Sequence, residues 1–568
     1  MSTSGNDTDS SGSNGVAETR KPIDFAKLWI PILLTAAGSA LRVWTATRSG
    51  VYRDEGQFIW VVRFPSWREM INFLQIHESH PPLYYIITRL SFYIFGDSER
   101  SALLIPLIFG AASIPAIFYV GSRMFDWKVG TIAAIFAAFA PILVEYSAYV
   151  RPYSLLHFCC LTSVYSLWKL LSDRRFSSGL LYILSTLAMA LTHNWSFLIL
   201  IGEWTAVLCV FAGRELKKIE WRRDAWNWLS AQAAIAAFYA PWLPTLIGQT
   251  LHAGYGRSVV PYKPIELFVR SFLIAILLDV GLFTYAVILS VAGVALVGRL
   301  VEIRVESAYA SPSKSSDRLG ERLLLGVPAA ALIAAVALTP FSTLLFIYCI
   351  SIVGPCLLLW FANLLEKSFR GRLIVLKYAV IALVLIQYAR HDAALSRVIL
   401  KSNDREAAAA VTAAGPGPDD FILVQPQWNA ASFFYYYPFH SNRLDYPIEP
   451  FFGPVYYDRG IVDLLSDEAR FDRFLARIEK ARSDGKKIWL ILDEAKLPGI
   501  ESPDDTITAN AIREGFPKLY SIRSKQIYRK LTRLYGEPKV VFRSDHKIHS
   551  RTYENVYLFS VSSGLNSL

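Results

Sequence analysis

From Leu28 to Ala389, apolar stretches of near-constant length follow one another along this 568-residue chain. A helix needs roughly 20 apolar residues to cross the hydrocarbon core of a bilayer. Inside that core every backbone polar group must find its partner within the protein, so only helices or closed barrels span it. The runs at 28–46, 101–121, 129–147, 153–171, 180–195, 196–213, 229–248, 280–298, 323–340, 343–364 and 372–389 have helical length. They predict about eleven transmembrane helices. Pro106, Pro115, Pro141 and Pro355 lie within these runs or at their ends, where neighbouring helices can satisfy the freed carbonyls. The composition is 53% hydrophobic and only 18% charged, against roughly 25% charged residues in soluble domains. An ordinary soluble enzyme, a disordered chain and a coiled coil are excluded on that ground.

The net charge of +11 is a matter of membrane orientation rather than of nucleic acid. Lys and Arg concentrate in alternate loops: Arg123 and Lys128, Lys169 to Arg175, Arg214 to Arg223, Arg299 to Arg322, and Lys367 to Arg372. The intervening turns 148–152, 192–196 and 341–342 hold only Arg151. By the positive-inside rule the N-terminus is cytoplasmic, and an odd number of spans puts the C-terminal part outside. The protein is expected in a plasma membrane, bacterial inner membrane by type. Residues 1–27 form a Ser/Gly/Asn/Asp-rich tail, expected to be disordered, and the first run is expected to act as an uncleaved signal anchor. Residues 28–392 form the membrane domain. Its loop 47–100 lies outside, with apolar pieces such as 83–95 lying along the interface. Segment 249–279 is expected to be a mobile outer loop followed by an interfacial helix, or else a further span, which would invert the topology of everything after it. The five cysteines all fall in apolar runs, with neither metal-site spacing nor a disulfide framework.

From about residue 400 the chain turns polar. FILVQP (421–426), KIWLILD (487–493), PKVVFRS (538–544) and ENVYLFSV (554–561) predict strands. The stretches 404–414 and 467–483 predict helices. Residues 400–568 therefore predict a C-terminal extracytoplasmic α/β domain.

Ionisable groups at the membrane are functional candidates, and four motifs carry them to the outer side. Tyr52-Arg53-Asp54-Glu55-Gly56 offers two adjacent carboxylates, which can supply a general base and a group to orient it; a solvated loop pair would look the same. His77-Glu78-Ser79-His80-Pro81-Pro82-Leu83-Tyr84-Tyr85 could hold His80 at the interface or simply start a helix. Arg151-Pro152-Tyr153 puts a planar guanidinium at headgroup depth, suited to phosphate or merely snorkelling. Thr192-His193-Asn194-Trp195 could donate to a sugar or phosphate, or be a polar turn with a Trp anchor. Glu203 and His157 lie within spans and read as internally satisfied. The four motifs share one face of the membrane, which favours the functional reading over each bland one.

In that order, within a helical array, Asp54-Glu55, His80-Pro81-Pro82-Leu83-Tyr84-Tyr85, Arg151-Pro152-Tyr153 and Thr192-His193 resemble the GT-C glycosyltransferases. The branch holding the protein O-mannosyltransferases, the lipid A aminoarabinose transferases and the Rgt-type enzymes is the most similar, and the resemblance covers about 30–390. Ile347-Tyr348 stands where many members carry an Arg-Tyr pair. The resemblance implies transfer of a sugar from a polyprenyl-phosphate donor to a glycan, glycolipid or protein acceptor outside the membrane, with inversion. Asp54 would be the general base, with Glu55 positioning it or the acceptor. Arg151, helped by His80 and Tyr153, would stabilise the departing phosphate. Tyr84, His193 and Asn194 would complete substrate binding. No cofactor is expected; Asp54 and Glu55 would hold a divalent cation only with further ligands, and the sequence names none. Two other classes fit a polytopic chain: a lipid-linked sugar flippase or transporter, and a non-catalytic anchor for the C-terminal domain. A transporter favours internal repeats and broken helices at mid-bilayer, and no repeat is evident.

Overall fold

The computed structural model describes residues 28–48, 50–78, 80–173, 175–212, 219–252, 312–338, 351–369, 374–395, 401–438, 442–449, 459–493, 506–543 and 554–560. Helix α1 (Trp29–Thr47) is followed by three shorter helices, α2 (Arg53–Val62), α3 (Trp67–His77) and α4 (Leu83–Phe95). Then come α5 (Glu99–Met124), α6 (Trp127–Phe139), α7 (Pro141–Ser147), α8 (Tyr153–Asp173), α9 (Phe176–Thr192), α10 (Ser196–Ala212), α11 (Ile219–Tyr239) and α12 (Leu243–His252). Beyond them lie α13 (Pro312–Leu338), α14 (Gly354–Ser368) and α15 (Ile374–Leu395). Within the described residues, α5, α8, α13 and α15 each contain a stretch long and apolar enough to cross a membrane. The pair α6–α7, bent by 58°, passes the same test as one broken span. Helices α9 and α10 are apolar but shorter. The predicted outer segment 249–279 beyond residue 252, the span 280–298 and the pair Ile347-Tyr348 lie outside the described residues.

Several helix limits follow from local chemistry. Ser66 and Ser98 accept from the backbone N–H groups of Glu69 and Ser101 and so cap α3 and α5, and Asp126 caps α6. Helix α5 packs against α1, α6 and α8, and α8 against α9. The sequence reading 129–147 is one span; the structure breaks it at Ala140-Pro141, where Ala140 is extended (φ −62°, ψ 120°). Proline has no N–H to give to Ala137, four residues back. Arg42 of α1 makes good the loss. Its Nη2 donates to the Ala137 carbonyl and its Nη1 to the Ala138 carbonyl, both at 2.8 Å. Its Nε donates to Ser147 Oγ at 3.1 Å, and Asp392 of α15 supplies counter-charge. One buried guanidinium thus caps α6 and ties down the end of α7, which leads directly into the 148–152 turn. Arg42→Met would strand these acceptors. We expect it to cost about 3 kcal/mol or more, read as a lower thermal midpoint of the purified protein in detergent; an unmoved midpoint would show that water replaces the arginine.

After the array the chain forms helix α16 (Asp404–Ala414), strand β1 (Phe421–Gln425), helix α17 (Ala430–Tyr436), helices α18 (Arg459–Ser466) and α19 (Glu468–Ser483), strand β2 (Ile488–Asp493), helices α20 (Ala509–Glu514) and α21 (Phe516–Tyr535), and strands β3 (Lys539–Phe542) and β4 (Glu554–Phe559). The sheet order is β1-β2-β4-β3. Strand β1 pairs parallel to β2 (Phe421 opposite Ile488), while β4 is antiparallel to both β2 and β3. All six residues of β2 are buried, as expected of a strand covered on both faces. This part has its own apolar core, separate from that of the helical array.

Candidate active site

The site is assembled where helices end. Helix α2 begins directly after the turn that follows α1, α8 begins after the 148–152 turn, and α9 gives way to α10 at 193–195. Tyr52 is extended ahead of α2, its N–H donates to Glu55 Oε2 at 2.9 Å, and Asp54 and Glu55 occupy the first turn, where the helix dipole favours carboxylates. Adjacent in sequence, the two carboxylates point to different fates.

Glu55 is completely buried. Its Oε1 accepts from Lys401 Nζ at 2.7 Å and from the Val150 N–H at 2.6 Å. Burial pushes its carboxyl up, while the Lys401 charge and these hydrogen bonds pull against that shift. Both oxygens of this enclosed carboxylate are engaged, Oε1 by Lys401 and Val150 and Oε2 by the Tyr52 N–H. The structure thus places Glu55 in a buried knot with Lys401 and Val150.

Asp54 stays about a quarter exposed, its side chain at 28%. Its Oδ1 accepts from Arg53 Nε and its Oδ2 from the Tyr52 hydroxyl, both at 2.8 Å. Burial raises its carboxyl, but the charges of Arg53 and Arg151 and the two hydrogen bonds outweigh it, holding Asp54 well below the usual carboxylate range.

Arg151 comes to the same place from the start of α8. Its Nη1 lies 3.5 Å from the Asp54 carbonyl oxygen, and its Nη2 lies 3.3 Å from His80 Nε2. His80 Nδ1 sits 2.8 Å from Glu78 Oε1. This pairing fits the tautomer with the proton on Nδ1, leaving Nε2 to accept from the arginine. Among the described residues the buried Arg151 Nε has no acceptor, so one donor of the guanidinium remains unused. His193 stands edge-on to His80 with ring centroids 4.8 Å apart, and Tyr153 lies 6.0 Å from His193. Asn194 is turned elsewhere: its Nδ2 donates to Gln249 Oε1 at 3.3 Å, and Gln249 Nε2 donates to the Leu74 carbonyl at 3.0 Å. Asn194 thereby ties the 193–195 turn to α12 and α3. Of the eight residues singled out in the sequence, Asp54, His80, Arg151, Tyr153 and His193 converge; Tyr84 is buried near Arg151, while Glu55 and Asn194 bond to neighbouring segments.

Three further residues shape the site, and of these Lys401 and Trp428 carry no local signature in the sequence. Lys401 holds Glu55. Trp428, from the turn between β1 and α17, lies under the Arg53 guanidinium at 5.3 Å. Gly56 meets α17 backbone to backbone, since a Cβ there would stand 2.6 Å from the Ser432 nitrogen. Among the described residues no three His, Cys, Asp or Glu side chains gather as a metal site.

Residues 79–244 match the family described as dolichyl-phosphate-mannose-protein mannosyltransferase, a stretch containing His80, Tyr84, Arg151, Tyr153, His193 and Asn194. The chain resembles the GT-C membrane glycosyltransferases. The Archaeoglobus fulgidus oligosaccharyltransferase in its apo form aligns over 92% of this chain and 81% of its own, at 13% identity and a TM-score of 0.50. The ArnT structure from Cupriavidus metallidurans with undecaprenyl phosphate aligns over 94% and 98%, at 13% identity and a TM-score of 0.45. No curated protein matches in sequence. At such identity the archaeal likeness speaks for a GT-C type of fold and not for a substrate.

Proposed function

We propose that this GT-C chain transfers a sugar from a polyprenyl-phosphate donor to an acceptor hydroxyl on the extracytoplasmic side of a plasma membrane. The observation that carries the reading is the meeting of Asp54, His80 and Arg151, from three separated segments, at one end of the helical array. The donor's lipid would lie among the helices with its phosphate at Arg151. The acceptor oxygen attacks the anomeric carbon, the bond from that carbon to the phosphate oxygen breaks, and the acceptor proton passes to Asp54. The lipid phosphate leaves as a stable anion, so no strong general acid is needed, unlike the paired acids of glycosidases. Arg151 offsets the negative charge gathering on the leaving oxygens, an electrostatic contribution that is often the largest single one. One displacement inverts the anomeric centre. Positive charge at the phosphate comes from Arg151, and the reading assigns no metal or cofactor. In this reading about eleven spans carry the site, and residues 400–568 stand outside as an α/β domain over it.

Purified protein given a radiolabelled polyprenyl-phosphate sugar tests the reading. Release of lipid phosphate with label moving to an added glycan, glycolipid or peptide supports it. Movement of intact donor across vesicle membranes without bond cleavage would instead identify a transporter.

A further inference from the structure

We propose that Lys401, at the start of the chain that follows the helical array, is a positioning residue that sets the spacing between Asp54 and Arg151. The proposal rests on the glycosyl-transfer reading only for what that spacing accomplishes. Lys401 is 1% exposed. Its Nζ donates to Glu55 Oε1 and to the Ala148 carbonyl, each at 2.7 Å, and stands 4.9 Å from the centre of the Tyr149 ring. Glu55 Oε1 in turn accepts from the Val150 N–H. A single ammonium thus holds residues 148 and 149 directly and residue 150 through Glu55.

The sequence offset gives this knot its consequence. Glu55 is the neighbour of Asp54, and Val150 is the neighbour of Arg151. Fastening Glu55 to Val150 fixes the two segments at the residues immediately beside the chemical pair. The adjoining residue tightens the grip: Ser402 Oγ donates its one proton to Asp404 Oδ2 at 2.8 Å and packs 3.3 Å from the Val51 carbonyl oxygen. The start of the chain beyond the membrane array is therefore built into the site. A buried pair broken on one side leaves an uncompensated charge, and a displacement of about 1 Å at a reacting group can cost roughly 100-fold in rate.

Lys401→Met strands the Glu55 carboxylate. Its turnover with donor and acceptor is expected to fall roughly 10- to 100-fold. Hydrogen exchange of the amides in 146–152, followed by mass spectrometry without substrate, should speed up in the same protein. Glu55→Gln combined with Lys401→Met removes both charges while an amide oxygen still faces the Val150 N–H. This double variant should regain most of the lost turnover and the slow exchange, a rescue that a merely lost packing contact would not show. Lys401→Met with wild-type turnover, or a double variant as impaired as Lys401→Met, would overturn the assignment. Where Lys401→Met does not accumulate, the double variant compared with wild type decides: turnover within about tenfold supports the knot, and loss of the folded protein there too counts against it. A wild-type protein that transfers no sugar would sink the glycosyl-transfer reading, and the exchange difference would still report on Lys401.

Discussion

Replacing Asp54 by asparagine is expected to lower turnover at least about 100-fold while leaving the folded protein intact, within the range of roughly 10²–10⁴ that general-base catalysis contributes. Asparagine keeps the shape and accepts the Tyr52 hydroxyl through its carbonyl oxygen, so the first turn of α2 survives; what disappears, on the proposed reading, is the site for the acceptor's proton. The environment of Asp54 sharpens this expectation. Arg53, Arg151 and Tyr52 hold its carboxyl below the ordinary range, which makes it a weak base. Such a group takes the proton late, once the acceptor oxygen is already bonding to the anomeric carbon and has become acidic. It also stays ionised into mildly acidic solution. The acid limb of kcat/KM should accordingly lie below the pH at which an ordinary aspartate protonates. A near-normal rate for Asp54→Asn, measured as released lipid phosphate, removes Asp54 from the mechanism.

Arg151→Ala should damage use of the donor more than use of the acceptor. Its Nη1 lies 3.5 Å from the Asp54 carbonyl oxygen, and among the described residues its Nε has no acceptor, so it has bonding capacity to spare for a phosphate. Losing one charge-assisted contact of this kind costs about 1.5–3 kcal/mol, or roughly a 10- to 150-fold rise in donor KM, a fall in kcat, or both. Acceptor KM should move little. Equal losses for both substrates would contradict a phosphate role, and Arg151→Lys should restore only part of the effect because an ammonium cannot bind two oxygens side by side.

Much of this molecule was legible in advance because it obeys local rules. The apolar piece 83–95 forms helix α4 over those very residues, and 404–414 forms α16; the four stretches read as strands are all strands. Other elements were not legible, for identifiable reasons. The run 129–147 gives no sign that a distant arginine stands ready to cap a break at Pro141. Helix α13 starts at Pro312, eleven residues before its apolar run, because its first turns are polar. Helix α21 carries a basic face and an apolar face without a long hydrophobic run, and its twenty residues were not foreseen. The convergence of His80, Asp54 and Arg151 agrees with the expectation from the loop charges that their motifs share one side of the membrane. Lys401 is the opposite case. Its partners Glu55 and Ala148 lie 346 and 253 residues away, and an isolated lysine in a polar stretch announces nothing.

The contact of Gly56 with Ser432 leaves no room for a methyl group between α2 and α17. Gene fusions that graft a foreign globular portion onto this membrane scaffold should consequently misassemble unless the graft brings an equally bare helix surface to that spot. Variation at that seam is then confined to positions around Gly56, since residue 56 itself tolerates no added atoms.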